Sequence, residues 1–308
     1  MTAKRNSMFN PTKYNHQFAT LGGHRYHYVD EGDKNGVPVL LIHGFPDLWY
    51  GWRYQIEYLT KLGFRVLVPD MLGYGQTDKP VSKDRTKAHP SYSPKSLASH
   101  MVELMDQLGL EKAVLVGHDW GAAAVSRFGW HFPERAIATI SVGNPFQPIA
   151  KVAKTASDFM KENPSFEYFE IFGTEEAIDG LNNQDKEYYL EYFKAFGYEG
   201  PLSYYKCFEQ SFREDQHLFG QRYTIPTLLI IVRGDVLLTP EYCRTLPVDY
   251  YDSFTTQEVD GPHWVLTQNP VAVNNTIGSY LKRILTRSTV STIRDTARNK
   301  TRVLRSKL

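Results

Sequence analysis

The stretch that decides the fold is Val114-Leu115-Val116-Gly117-His118-Asp119-Trp120-Gly121-Ala122. An aliphatic run, typical of a buried strand, leads into Gly-x-Asp-x-Gly and then into a helix-like segment. This is the sequence context of a nucleophile elbow, a sharp strand-to-helix turn that exposes one side chain above a sheet. The two glycines let the backbones of strand and helix approach closely. Serine usually occupies the centre of this pattern, and here the residue is Asp119.

The segments on either side of this stretch alternate between strand-like and helix-like patterns. Aliphatic runs that are typical of strands buried in a parallel sheet occur at Val37–Ile42, Phe64–Val68, Ala113–Val116, Ile137–Val142 and Thr227–Val232. Glu258–Gly261 is a plausible edge strand. Helices are predicted after Ser93, at Gly121–His131 and at Pro270–Leu285. This alternation predicts an α/β fold with a mostly parallel, doubly wound sheet.

A change of composition divides the chain. Residues 146–219 hold 17 of the 42 aromatic residues and show helix-like stretches without aliphatic strand runs. We therefore predict a core made of residues 1–145 and 220–286, interrupted by a helical cap at 146–219. Residues 287–308 carry seven Lys and Arg against one acid, which is typical of a solvated basic tail.

Composition and charge exclude several classes of protein. Lys and Arg number 35 and Asp and Glu 34, a balance that argues against a nucleic-acid binder. The aliphatic runs are far shorter than the ~20 residues that span a bilayer, and the polar start, Met1–Asn15, lacks the apolar region of a secretory signal. Cys207 and Cys243 are too few for a disulfide framework or a four-thiolate site. We expect a soluble protein of a reducing compartment, without metal or cofactor.

Aspartate at the elbow changes the chemistry that the turn can perform. A carboxylate with an ordinary pKa near ~3.9 is ionised at neutral pH and can displace a leaving group from saturated carbon. The product is an alkyl ester of the protein, which water must then cleave with the help of a base. The alternative interpretation of Asp119 is a helix cap.

A base and an orienting acid are expected later in the chain, in the order nucleophile, acid, histidine. Asp235 follows the predicted strand Thr227–Val232, at the sheet edge where catalytic groups of α/β proteins gather. His263 lies in a Gly/Pro turn before the closing helix. Asp260 is a weaker candidate for the acid, since it is only three residues from His263.

An oxyanion site is predicted at the turn after the strand Val39–Ile42. The backbone N–H groups of Phe45, in this turn, and of Trp120, after the nucleophile, can converge on a developing oxyanion. We expect His43 to hold the turn by hydrogen bonding.

These motifs together resemble the α/β-hydrolase-fold epoxide hydrolases of the soluble type. The matching segments are His43-Gly44-Phe45-Pro46-Asp47, Asp70-Met71-x-Gly73-Tyr74-Gly75, Gly117-His118-Asp119-Trp120-Gly121, Phe132-Pro133-Glu134-Arg135, Asn144-Pro145-Phe146 and His263-Trp264. The resemblance implies an epoxide substrate, a nucleophilic Asp119, a charge-relay Asp235 and a water-activating His263, with Phe45, Pro46 and Trp120 against the substrate.

The same resemblance implies two cap tyrosines whose hydroxyls grip the epoxide oxygen. Their contexts match at Tyr168 and Tyr205, with Tyr204 as the alternative to Tyr205. Phenolic hydroxyls, with pKa near ~10, can donate to the alkoxide that ring opening creates. The chain departs from the family at Gln268, where family members often have glutamate, and in a longer insert between Lys79 and Ser93.

Two other functions remain open on the same scaffold. A haloalkane or haloacid dehalogenase shares the aspartate and the histidine, but a halide leaves as a stable anion and needs no tyrosine pair. A non-catalytic small-molecule receptor has no physical need for the intact set of five residues.

The last three residues, Ser306, Lys307 and Leu308, form the tripeptide that the peroxisomal import receptor reads. We therefore expect location in the peroxisomal matrix, with the cytoplasm as the alternative.

Overall fold

Aliphatic β-branched and leucine runs build the centre of the molecule. The computed structural model describes residues 9–84, 87–153, 188–193 and 197–286. Its sheet has eight strands in the order β1-β2-β4-β3-β5-β6-β7-β8. The strands are β1 His16–Leu21, β2 His24–Gly32, β3 Pro38–Ile42, β4 Arg65–Pro69, β5 Ala113–His118, β6 Ala136–Val142, β7 Thr227–Val232 and β8 Phe254–Val259.

Strands β3 to β8 run parallel, and β1 and β2 add an antiparallel edge. Strand β2 pairs antiparallel with both β1 and β4, whereas β3 pairs parallel with β4 and β5. Every residue of β5 and β7 is buried, as expected for strands covered on both faces.

Helices cover the two faces of this sheet. Ser93 caps α2, its side chain accepting a hydrogen bond from the Ser96 N–H at 3.1 Å. The helices within the described ranges are α1 Arg53–Lys61, α2 Pro94–Gln107, α3 Trp120–His131, α4 188–193, α5 Glu199–Leu202, α6 Phe208–Asp215, α7 Pro240–Arg244, α8 Val265–Gln268 and α9 270–286. None of these helices is long and apolar enough to cross a bilayer.

The predicted α/β fold is confirmed, and two parts of the prediction need correction. Strands β1 and β2 were not predicted, because their polar residues, including a fully buried His27, hide the alternation of an antiparallel edge. The last strand is Phe254–Val259 and not Glu258–Gly261. Thr256, Gln257 and Glu258 of this edge strand are exposed, so no aliphatic run marks it.

The predicted cap and tail fall partly outside the described ranges. In the described part of 146–219, helices α4 to α6 occur and strands do not. Tyr168 and the tripeptide Ser306–Leu308 lie outside the described residues. The boundaries of the cap at 146–219 and of the basic tail at 287–308 therefore stay predictions.

Close backbone packing brings the carboxyl ends of β3 and β5 together. Ile42 on β3 pairs with Gly117 on β5. A Cβ on Gly121, in the first turn of α3, would lie 2.0 Å from the Ile42 carbonyl oxygen. Only glycine allows α3 to start this close to β3. The turn at residue 119, which connects β5 to α3, is therefore fixed next to the end of β3.

Candidate active site

The backbone at Asp119 has a conformation that L-residues rarely adopt. Asp119 connects β5 to α3 with φ 53° and ψ −122°, and it is the one non-glycine residue with positive φ in the described part of the chain. Strain of this kind costs about 1–3 kcal/mol and persists where surrounding contacts over-determine it. The elbow predicted from the sequence is therefore present, with Asp119 at its apex.

Two backbone N–H groups hold the Asp119 carboxylate. The Phe45 N–H donates to Asp119 Oδ1 at 2.8 Å, and the Trp120 N–H is also hydrogen-bonded to this carboxylate. A Cβ on Gly44 would lie 2.4 Å from Oδ1, so the turn approaches the carboxylate closely only because residue 44 is glycine. The N–H pair predicted as an oxyanion site thus binds the carboxylate itself in the resting protein.

The predicted acid, base and nucleophile are neighbours, with the histidine between the two carboxylates. His263 Nδ1 is hydrogen-bonded to Asp235 Oδ2 at 2.9 Å, and His263 Nε2 is 4.0 Å from Asp119 Oδ2. The other oxygen of Asp235 accepts from the N–H groups of Leu237 and Leu238, both at 2.9 Å. All three side chains are buried.

The charges of these groups shift one another. Burial acts to raise the pKa of Asp235, but the hydrogen bond and charge of His263 hold it below its ordinary value. Burial acts to lower the pKa of His263, but Asp235 first, and Asp119 after it, raise it above its ordinary value. Burial raises the pKa of Asp119, against the effect of His263 and the two N–H donors. Asp235 therefore stays ionised and makes His263 a stronger base.

Asp260, the weaker candidate for the acid, lies elsewhere. Its side chain is 75% exposed and forms an ion pair with Arg233 at 2.7 Å. The guanidinium of Arg233 lowers the pKa of Asp260.

Of the predicted tyrosines, Tyr205 lies beside the turn that carries Asp119. Its ring packs edge-on against Trp120 at 4.8 Å and Phe45 at 5.7 Å between centroids. Burial, and then the charge of Asp119, raise the pKa of Tyr205 well above its ordinary value. By contrast, the Tyr204 hydroxyl donates to the Leu72 carbonyl at 2.9 Å.

The turn after β3 is held by His43, as expected. Because the Gly44 carbonyl accepts from Nδ1 at 2.9 Å and Nε2 accepts from the Met71 N–H at 2.9 Å, the imidazole is neutral with its proton on Nδ1. Burial lowers the pKa of His43 and keeps it neutral. The peptide bond between Phe45 and Pro46 in this turn is cis.

Sequence reasoning missed several residues that support the site. Asn144 donates to the Asp119 carbonyl at 3.0 Å, and His118 Nε2 donates to the His263 carbonyl at 3.0 Å. Burial, and then the charge of His263, lower the pKa of His118 to about 3, so its ring stays neutral. Both residues stand in motifs that were recognised, but their partners, 25 and 145 positions away, could be identified only in the folded chain.

Among the described residues, no group of three or more His, Cys, Asp or Glu is arranged to hold a metal ion. Cys207 and Cys243 are buried and free.

Known proteins that are similar to this chain have the same fold. The family model of the alpha/beta hydrolase fold matches residues 37–170. A solved epoxide hydrolase mutant of Vigna radiata aligns with a TM-score of 0.78 at 23% identity, covering 88% of this chain and 99% of that one. Potato (Solanum tuberosum) epoxide hydrolase I aligns with a TM-score of 0.77 at 20% identity, covering 87% and 99%.

Two proteins that are similar in sequence are named epoxide hydrolases. "Bifunctional epoxide hydrolase 2" of Sus scrofa is 28% identical over 320 residues, which cover 88% of this chain and 56% of the relative. The chain thus spans about half the length of that protein. "Epoxide hydrolase 3" of Siraitia grosvenorii is 28% identical over 320 residues, covering 87% of this chain and 98% of the relative.

Proposed function

The chain is an α/β-hydrolase-fold protein that is similar over most of its length to epoxide hydrolases, and from this premise we propose that it adds water to an epoxide to give a vicinal diol. One observation carries the proposal: a strained aspartate, held by two N–H groups, faces a histidine that an acid orients. A carboxylate at this position suits attack on saturated carbon, which an epoxide offers.

In the first step, Asp119 Oδ2 attacks an epoxide carbon while Oδ1 remains on the Phe45 N–H. The carbon–oxygen bond of the ring breaks, and its electron pair goes to the epoxide oxygen. Tyr205, with Tyr168 from the cap, hydrogen-bonds this oxygen and supplies its proton. Holding the reactants together replaces the entropy of gathering them from solution.

In the second step, water cleaves the ester. His263 takes a proton from water, and the oxygen attacks Cγ of Asp119. The carbonyl oxygen becomes an oxyanion on the N–H groups of Phe45 and Trp120. When the ester bond breaks, the leaving alkoxide takes the remaining proton of the attacking water and departs as the diol, and Asp119 is again a carboxylate. The proton that His263 takes up balances the one that the tyrosine gave, so both groups return to their initial states.

A single turnover in ¹⁸O water tests the covalent scheme. With enzyme in excess over a styrene-type epoxide, the diol of the first turnover should take its new oxygen from Asp119 and contain no label. Label should instead enter the Asp119 carboxylate, which peptide mass spectrometry detects. Label in the first diol would contradict the ester intermediate.

The dehalogenase alternative predicts a different product. Halide release from haloalkanes, assayed beside diol formation from epoxides, separates the two, and halide without diol would exclude the epoxide hydrolase. The ring of Tyr205 packs edge-on against the Trp120 indole, which places a phenol where a dehalogenase needs none and favours the epoxide. Tight binding of an epoxide without turnover would favour a receptor.

For location, we propose that Ser306, Lys307 and Leu308 direct import into the peroxisomal matrix through the import receptor. A fluorescent protein that ends in residues 287–308 should appear in peroxisomes, and the same fusion without the last three residues should stay in the cytoplasm. Cytoplasmic fluorescence of the first fusion would support the cytoplasmic alternative.

A further inference from the structure

A buried carboxylate next to the oxyanion turn has no role in the two steps above. The Asp47 N–H donates to the Gly44 carbonyl at 3.1 Å and closes the turn that presents the Phe45 N–H. The Asp47 side chain is 2% exposed, and its Oδ1 accepts from the Leu48 N–H at 2.8 Å. On the other side, a Cβ on Gly51 would lie 2.1 Å from Oδ2. The carboxylate is thus tightly enclosed at the base of the turn.

The remaining partner of Asp47 comes from the far side of the site. The hydroxyl of Tyr189, on helix α4, donates to Asp47 Oδ1. Tyr189 is 2% exposed and lies 142 positions from Asp47, within the segment predicted to be the cap. Its neighbour Tyr188 accepts a hydrogen bond from the Trp49 indole at 2.8 Å. Two adjacent tyrosines therefore fasten α4 to the chain just after the oxyanion turn, but only Tyr189 contacts a carboxylate.

Asp47 also acts on the pKa of His263, the proposed base. Burial acts to lower the pKa of His263, and Asp235, Asp119 and Asp47 oppose it in that order. Burial raises the pKa of Asp47 above its ordinary value, and Tyr189, the Leu48 N–H and Arg53 are among the groups that act in the opposite direction and favour its ionised form. The imidazole of His118 also packs against His263, with 4.9 Å between the ring centroids, and it stays neutral.

We propose that Tyr189 is a positioning residue that acts through Asp47: its hydroxyl donates to this carboxylate at the base of the oxyanion turn, favours its ionised form and so helps to keep His263 a strong base. A helix of the cap thereby takes part in setting the strength of the water-activating base. The proposal rests on the proposed function for its kinetic consequence but not for its electrostatic one.

The test compares Tyr189→Phe with Tyr188→Phe. Both remove one hydroxyl from α4 and one link to the core, so loosening of the cap affects them alike. We expect Tyr189→Phe alone to move the acid limb of ester hydrolysis to lower pH and to slow hydrolysis about tenfold, the scale of one hydrogen bond to a charged group. Equal pH profiles for the two variants would overturn the proposal.

A double-mutant cycle examines the route through Asp47. Asp47→Asn should shift the acid limb in the same direction and further, and Tyr189→Phe should add nothing in the Asp47→Asn background. Additive effects would mean that Tyr189 acts by another route and would overturn the proposal. Should Tyr189→Phe fail to fold, Asp47→Asn carries the test, since an unchanged acid limb in that variant is equally contradictory.

An NMR titration separates this inference from the proposed function. The His263 imidazole, assigned by comparison with His263→Gln, is titrated in the full chain without substrate. Its pKa should be lower in Tyr189→Phe than in the wild type and unchanged in Tyr188→Phe. If the wild type converts no epoxide, the proposed function fails, while this titration still decides the role of Tyr189.

Discussion

At the scale of the residue, the carboxylate of Asp119 has two separate tasks for its two oxygens. Oδ1 is held by the Phe45 N–H at 2.8 Å, and Oδ2 lies 4.0 Å from His263 Nε2. Attack through Oδ2 leaves Oδ1 on the donors that stabilise the later oxyanion. The distance of 4.0 Å is too long for a direct hydrogen bond to Oδ2, so Nε2 is available to take a proton from water.

Substitution of the proposed nucleophile and of the proposed base should block different steps. Asp119→Ala removes the attacking oxygen and should lower epoxide turnover by at least about 10⁴-fold. His263→Gln leaves the carboxylate in place but removes the base, so the ester should form once and accumulate. Intact-protein mass spectrometry after mixing with substrate detects the added mass. Steady turnover by His263→Gln at the wild-type rate would contradict the assignment of the base.

The pH dependence of turnover should follow His263. Its pKa is raised, and only the neutral imidazole can take a proton from water, so hydrolysis is lost as the pH falls through that raised value. The acid limb of kcat should therefore lie above about 6.5, the ordinary value of histidine. The pKa of Tyr205 is raised well above 10, so no alkaline limb is expected from this group below that pH. An acid limb below pH 6.5 would contradict this.

How far sequence predicts a residue depends on where its partner lies. Asp119, Asp235 and His263 stand in local motifs with a fixed chain order, and the structure brings them together. Tyr189 has no motif, because its partner Asp47 is 142 positions away and the contact exists only when α4 is packed on the core.

At the scale of the element, one glycine sets the distance between α3 and β3. In Gly121→Ala the new Cβ would meet the Ile42 carbonyl oxygen at 2.0 Å, a backbone atom that no rotamer change can move. We expect a loss of about 3 kcal/mol or more in the free energy of unfolding, measured by urea denaturation. Ala123→Ser, on a half-buried position of the same helix, should cost about 0.5 kcal/mol. Equal losses in the two variants would disprove this packing constraint.

The elements that sequence predicts best are those with uniform burial. Strands β5 and β7 are buried throughout, so their aliphatic runs mark them. At the edges the signal weakens. Strand β8 alternates only partly, and β2 buries His27 and Asp30, whose side chains are hydrogen-bonded to Asp70 and Arg65 in the fold. A pattern that depends on polar partners elsewhere cannot be recognised from hydrophobicity.

At the scale of the whole molecule, the Asp215 carboxylate fastens the end of the predicted cap segment to the core. Asp215 ends α6 and is 3% exposed, and it pairs with Arg127 at 2.6 Å and His131 at 2.8 Å on α3. Burial acts to raise the pKa of Asp215, but His131 and Arg127 hold it below its ordinary value.

Asp215→Asn should destabilise the protein by about 2–4 kcal/mol at pH 7, because it leaves a largely buried Arg127 without its counter-charge. Asp252→Asn, which breaks an exposed pair with Arg222, should cost at most about 1 kcal/mol. Urea denaturation of both variants measures the difference.

The sign of the pH effect follows from the lowered pKa. The stabilisation by Asp215 is present above the unfolded value, about 3.9, and is lost as the pH falls through the lower folded value. The gap between wild type and Asp215→Asn should therefore be constant near neutrality and narrow below about pH 4. A gap that widens in acid would contradict this linkage.

The two amide groups around Asp119 also limit which compounds the protein can process. In an esterase, such amide groups are free to bind the acyl oxygen of an incoming ester. In this protein the carboxylate of Asp119 already occupies them before any substrate binds. An added ester therefore has no amide donors for its acyl oxygen, and nitrophenyl acetate should not be hydrolysed. Phosphonate reagents that trap reactive serines should not inactivate the protein. The fold is shared with lipases, but the amide groups that would bind an acyl oxygen are occupied by the carboxylate of residue 119.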